Sequence, residues 1–285
     1  MTVCLDAGHY GSYNRSPAVP AYYESEAMWL LHLYLTAELE ARGIAVRQTR
    51  EDPSRDLHVT DRGRAAKGCQ VLLSLHSNAV GSRVDDNTDY VAVYHLQDDA
   101  GTDADDRSKA LAQRLAPAIA TVMETKQGSK VLSRKAATDK NKDGVLNDNY
   151  YGVLNGARQV NVPALIVEHS FHTNTRSANW LLEDANLRRL AAAEAEVIQA
   201  FLQEEKEYRF DMKLRTLYRT CKGEDVRALQ LLLIGRGFSC GEEGADGSFG
   251  PATDTALRAY QKAKGLEVDG RAGPATMASL LGVTA

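Results

Sequence analysis

Val3-Cys4-Leu5-Asp6-Ala7-Gly8-His9-Tyr10-Gly11 is the stretch that decides how this chain is read. A short apolar run, Val3-Cys4-Leu5, ends in a histidine set between glycines. The pattern returns in Val71-Leu72-Leu73-Ser74-Leu75, which ends in His76-Ser77-Asn78-Ala79, and in Ala164-Leu165-Ile166-Val167, which ends in Glu168. Short apolar runs bounded by glycine and polar residues predict buried strands. In open α/β sheets ligands bind beyond the carboxyl ends of the strands. Three strands that each deliver a metal-binding or acid–base side chain at that end predict one site, with His9, His76 and Glu168 converging in space.

Working outward, strands are expected near 2–6, 44–49, 71–75, 90–96 and 163–168, and helices near 24–42, 60–67, 107–124 and 184–207. The helix opening at Glu24 carries Leu31, Leu35 and Leu39 on one core-facing stripe. Gly43 stands where a C-cap glycine belongs. Strands alternating with helices predict an α/β fold: a mostly parallel twisted sheet with helices on both faces.

A chain of 285 residues has room for two domains. Its 44% hydrophobic and 25% charged content fits a packed core and argues against disorder. The net charge of −4, with no long basic run, argues against nucleic acid as a partner. No stretch approaches the ~20 apolar residues of a membrane span, so no membrane insertion is expected. Met1-Thr2-Val3 leads straight into the first strand, with no charged and then apolar leader. That predicts synthesis in the cytoplasm without a signal peptide. Cys4 and Cys69 read as buried reduced thiols; Cys221 and Cys240 could pair, which spacing alone does not establish.

Composition changes near the charged run Glu204-Glu205-Lys206-Glu207-Tyr208-Arg209. The expected organisation is a first domain over 1–205, a linker over 206–218 and a second domain over 219–285. Acids and bases balance in the tail, so the first part carries the whole net charge. Within the tail, Asp246-Gly247-Ser248-Phe249-Gly250-Pro251-Ala252-Thr253 recurs as Asp269-Gly270-Arg271-Ala272-Gly273-Pro274-Ala275-Thr276. Each copy reads as a glycine turn followed by a helix with proline in its first turn. With the stripes Val226, Leu229, Leu232, Leu233 and Ala256, Leu257, Tyr260, this predicts a small all-α helical bundle built from two related units.

Catalytic zinc commonly takes three protein ligands and keeps one open position. His9 and His76 supply two imidazoles. Glu24 is the best third candidate, since it opens a helix after the loop 10–23 and a carboxylate there is favoured by the helix dipole. Glu26 points elsewhere on that helix. Glu24 could instead merely cap its helix. Glu168 is then placed as a non-ligand carboxylate to move a proton. His169 and His172 flank it as candidate substrate contacts, with Asn78, Arg50 and Arg62; for both arginines a structural ion pair is the competing reading. His32 and His58 read as bland, and His95 is undecided. Asp139-Lys140-Asn141-Lys142-Asp143-Gly144 begins like a calcium loop, but Tyr150 stands where the bidentate glutamate belongs, so a polar turn is the preferred reading.

The order Asp6-Ala7-Gly8-His9, Glu24, Thr49-Arg50, Arg62, Ser74-Leu75-His76-Ser77-Asn78-Ala79 and Val167-Glu168-His169-Ser170-Phe171-His172-Thr173-Asn174 resembles the zinc-dependent N-acetylmuramoyl-L-alanine amidases of the amidase-3 family over about residues 1–205. The resemblance implies Zn2+ held by His9, Glu24 and His76, with Glu168 catalytic. The chain departs from the family's pattern at His169 and His172. Gly223-Glu224-Asp225-Val226-Arg227-Ala228-Leu229-Gln230 and the two Asp-Gly units resemble a type 1 peptidoglycan-binding domain. The expected substrate is peptidoglycan. The expected setting is a phage or prophage endolysin released by a holin pore. A sporulation, mother-cell-lysis or wall-remodelling amidase, or another zinc-dependent wall peptidase or deacetylase, is the alternative.

Overall fold

The protein is described by a computed structural model over residues 1–97, 103–139, 148–211 and 215–282. The chain folds into two compact units, Met1–Glu204 and Glu205–Ala285.

The first unit holds β1 (Thr2–Ala7), α1 (Glu24–Ala41), β2 (Ala45–Gln48), α2 (Val59–Arg64), β3 (Val71–Asn78), β4 (Val91–His95), α3 (Asp103–Met123), β5 (Ser129–Leu132), α4 (Gly152–Gln159), β6 (Ala164–Phe171) and α5 (Thr175–Leu182). Helix α6 (Asp184–Asp211) follows and continues past Glu204. The strands form one six-stranded sheet in the order β2-β1-β3-β6-β4-β5. Every pairing is parallel except β4 with β6. The strand expected near 90–96 therefore forms but runs backwards. His95 pairs with Leu165, at the end of the sheet away from Glu168, and so leaves the site.

Alternation along the strands divides the core in two. Val3, Leu5, Leu73, Leu75, Leu165 and Val167 face one side, where Met28, Leu31, Leu35 and Leu39 of α1 pack with α3, α5 and α6. Fully burying such a side chain stabilises the fold by roughly 1.5–3 kcal/mol. Cys4, Leu72, Ala164 and Ile166 face the other side, against Val153, Leu154 and Ala157 of α4. Helices thus cover both faces of a mostly parallel sheet.

Strand β5 and helices α4 and α5 were not expected. Ser129-Lys130-Val131-Leu132 is a short, half-buried edge strand with little apolar signal. Helix α4 opens on Gly152 and carries Gly156, a composition that argues locally against helix. The glycines are there because α2 and α4 cross with their backbones touching. A Cβ on Gly63 would lie 2.1 Å from the Val153 carbonyl oxygen, and one on Gly156 2.0 Å from that of Thr60.

The second unit contains α7 (Glu224–Gly235), α8 (Pro251–Ala263) and α9 (Pro274–Leu281) around Leu217, Val226, Leu229, Leu233, Phe249, Leu257, Tyr260 and Leu280. Its repeat has a physical reason. Gln230 of α7 donates to Asp246 Oδ1, the Ser248 carbonyl and Thr253 Oγ1, while its own oxygen accepts from Gly247 N. Gln261 of α8 does the same with Asp269, the Arg271 carbonyl, Thr276 and Gly270 N. Each glutamine ties a glycine turn to the first turn of the next helix. Cys221 and Cys240 are free thiols, not a bonded pair. Among the described residues no helix is long and apolar enough to cross a membrane. The calcium-like segment lies mostly outside the described residues, which omit 140–147.

Candidate metal and catalytic site

Strand β1 ends at Ala7, and the chain then turns sharply. His9 sits at φ 59°, in the left-handed region that non-glycine residues seldom occupy. Such strain persists where surrounding structure enforces it. Here Arg62 and Arg50 both donate to the Ala7 carbonyl, and Arg62 also reaches the His9 carbonyl. Gly8 is required by close approach: a Cβ there would fall 2.6 Å from Nδ1 and Cε1 of His76.

Helix α1 brings in Glu24, which is 1% exposed. Tyr23 occupies the N-cap without a side-chain cap, and Glu24 does not serve its own helix either. Its Oε1 lies 2.9 Å from His76 Nδ1 and accepts from Ser77 N, while Oε2 lies 3.3 Å from His9 Nε2 and accepts from Asn14 Nδ2. Burial alone would push the Glu24 carboxyl up. Its hydrogen bonds to His76 and His9, and their charge, overcome that and hold it well below the usual carboxylate range. Glu26 faces solvent and accepts from Ser12.

One donor atom each from His9, Glu24 and His76 lie within 4.8 Å of one another. Two ligands about 2.1 Å from a tetrahedral zinc stand roughly 3.4 Å apart. The observed separations and the two-imidazole, one-carboxylate donor set fit such an ion. The site opens on a cleft of about 330 Å³ lined by Asp6, His9, Tyr13, Arg62, His76 and Val153, among others.

Glu168 stands opposite His76 in the register of β3 and β6, so both side chains leave the sheet on the same face. Its Oε2 is buried without a hydrogen-bond partner. Burial, and then the charge of Glu24, hold its carboxyl well above the usual range. A carboxyl raised by burial in a cleft is suited to take up and give back a proton.

Residues 3–200 match the protein family described as N-acetylmuramoyl-L-alanine amidase, and residues 222–280 match the putative peptidoglycan binding domain. The chain belongs to the N-acetylmuramoyl-L-alanine amidase family. Similar curated proteins include the N-acetylmuramoyl-L-alanine amidase CwlL of Bacillus licheniformis, 45% identical over 69 residues that are 24% of this chain and 19% of that protein. The zinc D-Ala-D-Ala carboxypeptidase of Streptomyces albus G is 46% identical over 61 residues, 21% of this chain and 24% of that protein. The chain thus spans a quarter or less of the length of these two relatives. The probable cell wall amidase LytH of Staphylococcus saprophyticus is 27% identical over 206 residues, 71% of this chain and 59% of that protein. Among solved structures, an N-acetylmuramoyl-L-alanine amidase from Clostridium difficile 630 superposes with a TM-score of 0.56 at 22% identity, covering 71% of this chain and 96% of that one. At that identity the likeness is one of fold.

The amidase unit treats the remaining candidates differently. His169 is fully buried on the opposite face from Glu168. Its Nδ1 lies 2.9 Å from the His76 carbonyl and its Nε2 2.8 Å from Glu194. It braces the strand and cannot meet a substrate, which corrects the expectation of contact. His172 is also buried, its Nδ1 at 2.9 Å from the Ser77 carbonyl, and burial pushes its imidazole below its ordinary value despite Glu24 nearby. Arg50 and Arg62 are buried and donate to the framework: Arg50 to the Ala7 and Arg55 carbonyls, with its Nε unpaired, and Arg62 to Leu57, Ala7, Asp6 and Asp56. Asn78 folds back on the amide of Ala79. His32 is buried in α1, where burial pushes it down to about 4, and His58 caps α2. Asn14, Tyr22, Ser74 and Ser77 were not singled out; the loop 10–23 gave no pattern from which Asn14 could be picked.

Proposed function

We propose that the chain is a zinc-dependent N-acetylmuramoyl-L-alanine amidase, hydrolysing the amide between the lactyl group of N-acetylmuramic acid and the L-alanine of the stem peptide. The observation that carries the reading is the His9, Glu24, His76 donor set with Glu168 beside His76 in the strand register. His9, Glu24 and His76 would hold Zn2+, which supplies polarisation of the scissile carbonyl and a lowered pKa for a nearby water. Glu168 takes the proton of the attacking water as the new C–O bond forms. The same carboxyl returns it to the alanine nitrogen as the C–N bond breaks. The products are a lactyl carboxylate and a free L-alanine amine. The second unit is the wall anchor in this reading: it raises local concentration on an insoluble polymer without adding chemistry.

Mass spectrometry of digested peptidoglycan tests the bond. A released stem peptide with a free N-terminal L-alanine, alongside intact glycan, is expected; free D-alanine, as a carboxypeptidase would release, or free acetate would contradict it. As biological setting we propose a phage or prophage lysin, with a sporulation or wall-remodelling amidase as the alternative. A holin gene beside this one, against a sporulation operon, distinguishes the two.

A further inference from the structure

We propose that Asp6 and Ser74 are positioning residues that order the protons around His76 and commit its ring to bind metal through Nδ1. The proposal rests on the metal-site reading above. His76 Nδ1 faces Glu24 at 2.9 Å, and its Nε2 lies 3.1 Å from Ser74 Oγ. Ser74 is fully buried, and its hydroxyl donates at 2.7 Å to Asp6 Oδ2. A hydroxyl has one proton to give. Since Ser74 gives it to the Asp6 carboxylate, Ser74 can only accept from His76, and Nε2 must carry the proton.

Once the ring is neutral, as a metal ligand must be, the lone pair is then on Nδ1, the nitrogen turned to Glu24, which can hydrogen-bond that carboxylate only while it carries a proton and no ion. Asp6 is held in turn: Thr49 donates to its Oδ1, and Arg62 lies 3.5 Å from the same oxygen. The chain from Arg62 and Thr49 through Asp6 and Ser74 to His76 accounts for buried polar groups that have no part in the proton transfer of Glu168. It also gives Arg62 a role in the frame of the site, through Asp6. Outer partners of this kind fix the orientation and basicity of a ligating histidine, and losing one lowers metal affinity by about 10–100-fold.

The test uses the full chain. Zinc affinity is measured by competition with a chromophoric chelator for wild type, Ser74→Ala, Ser74→Thr, Asp6→Asn and His76→Ala. In the zinc-loaded wild type, a long-range proton–nitrogen NMR spectrum identifies the metal-bound nitrogen of His76. The expected results are zinc on Nδ1, a slowly exchanging Nε2 proton that exchanges fast in Ser74→Ala, and zinc affinity about 10–100-fold weaker in Ser74→Ala and Asp6→Asn. Ser74→Thr, which keeps the hydroxyl, should bind close to wild type. Zinc on Nε2, or Ser74→Ala binding as tightly as wild type, overturns the proposal while leaving the metal site standing. Wild type binding no better than His76→Ala overturns both. The nitrogen is read on unaltered protein, so that result does not depend on a variant folding.

Discussion

The two units handle buried polar groups in opposite ways. In the second, Gln230 and Gln261 have both ends of their amides paired, twice over and with the same partners in kind. Among its described residues no buried side-chain polar atom lacks a partner. In the first, His32 Nδ1, Arg50 Nε and one oxygen each of Glu168 and Glu194 are buried without a hydrogen bond. A satisfied polar network specifies structure, whereas an unsatisfied buried carboxylate is destabilising, and of the two here only Glu168 stands in register with a candidate metal ligand. The tail's polar groups hold its turns. In the amidase unit some hold the frame, as His169 and Arg62 do, and Glu168 is left free to react.

Replacing Glu168 by Gln would break this comparison most visibly. Amide hydrolysis should fall by about 10²–10⁴-fold, the range for a lost general base, while the metal-free protein gains thermal stability. The sign follows from the raised carboxyl. The folded state binds this proton more tightly than the unfolded chain does. Its contribution to stability is therefore fully present below the unfolded value of about 4.3 and is lost as pH rises through the higher folded value. Thermal melts of metal-free wild type against Glu168→Gln across that window check it. A variant that melts lower at neutral pH would show that the carboxylate is not strained.

Gln261→Ala and Gln230→Ala should each destabilise the second unit by about 2–3 kcal/mol, since each leaves several buried groups unpaired. Neither should alter cleavage of a small soluble muropeptide, and a drop in that activity would show that the tail does more than anchor. Gly156→Ala should cost the first unit about 1–3 kcal/mol through overpacking at the α2–α4 crossing, as read by chemical denaturation. Glu26→Ala is the smallest expected change, within about 0.5 kcal/mol in stability and without effect on zinc content. A loss of zinc there would move the third ligand from Glu24 to its neighbour.

The strands that build the site were legible because each is a short apolar run closed by a polar residue, and Glu24 because an acid opens a helix whose Leu31, Leu35 and Leu39 face the core. His169 was misread although period-2 alternation contains the answer. If Glu168 faces the cleft, the next residue must face the core, and there it meets Glu194 of α6. Asn14 depends on a loop fold with no local signal. Helix α4 was hidden because its glycines answer to a neighbouring helix and not to their own. The tail's Asp-Gly repeat was plain, yet its glutamines were missed: Gln230 stands 16 residues before Asp246, and Gln261 stands 8 before Asp269. A repeat in space need not keep its spacing in sequence.

The central claim is that His9, Glu24 and His76 hold one divalent ion beside a reactive carboxyl. Elemental analysis of the purified full chain, wild type against His76→Ala, tests it most directly. The account predicts close to one zinc per wild-type chain and nearly none in the variant, and equal zinc in the two proteins would contradict it.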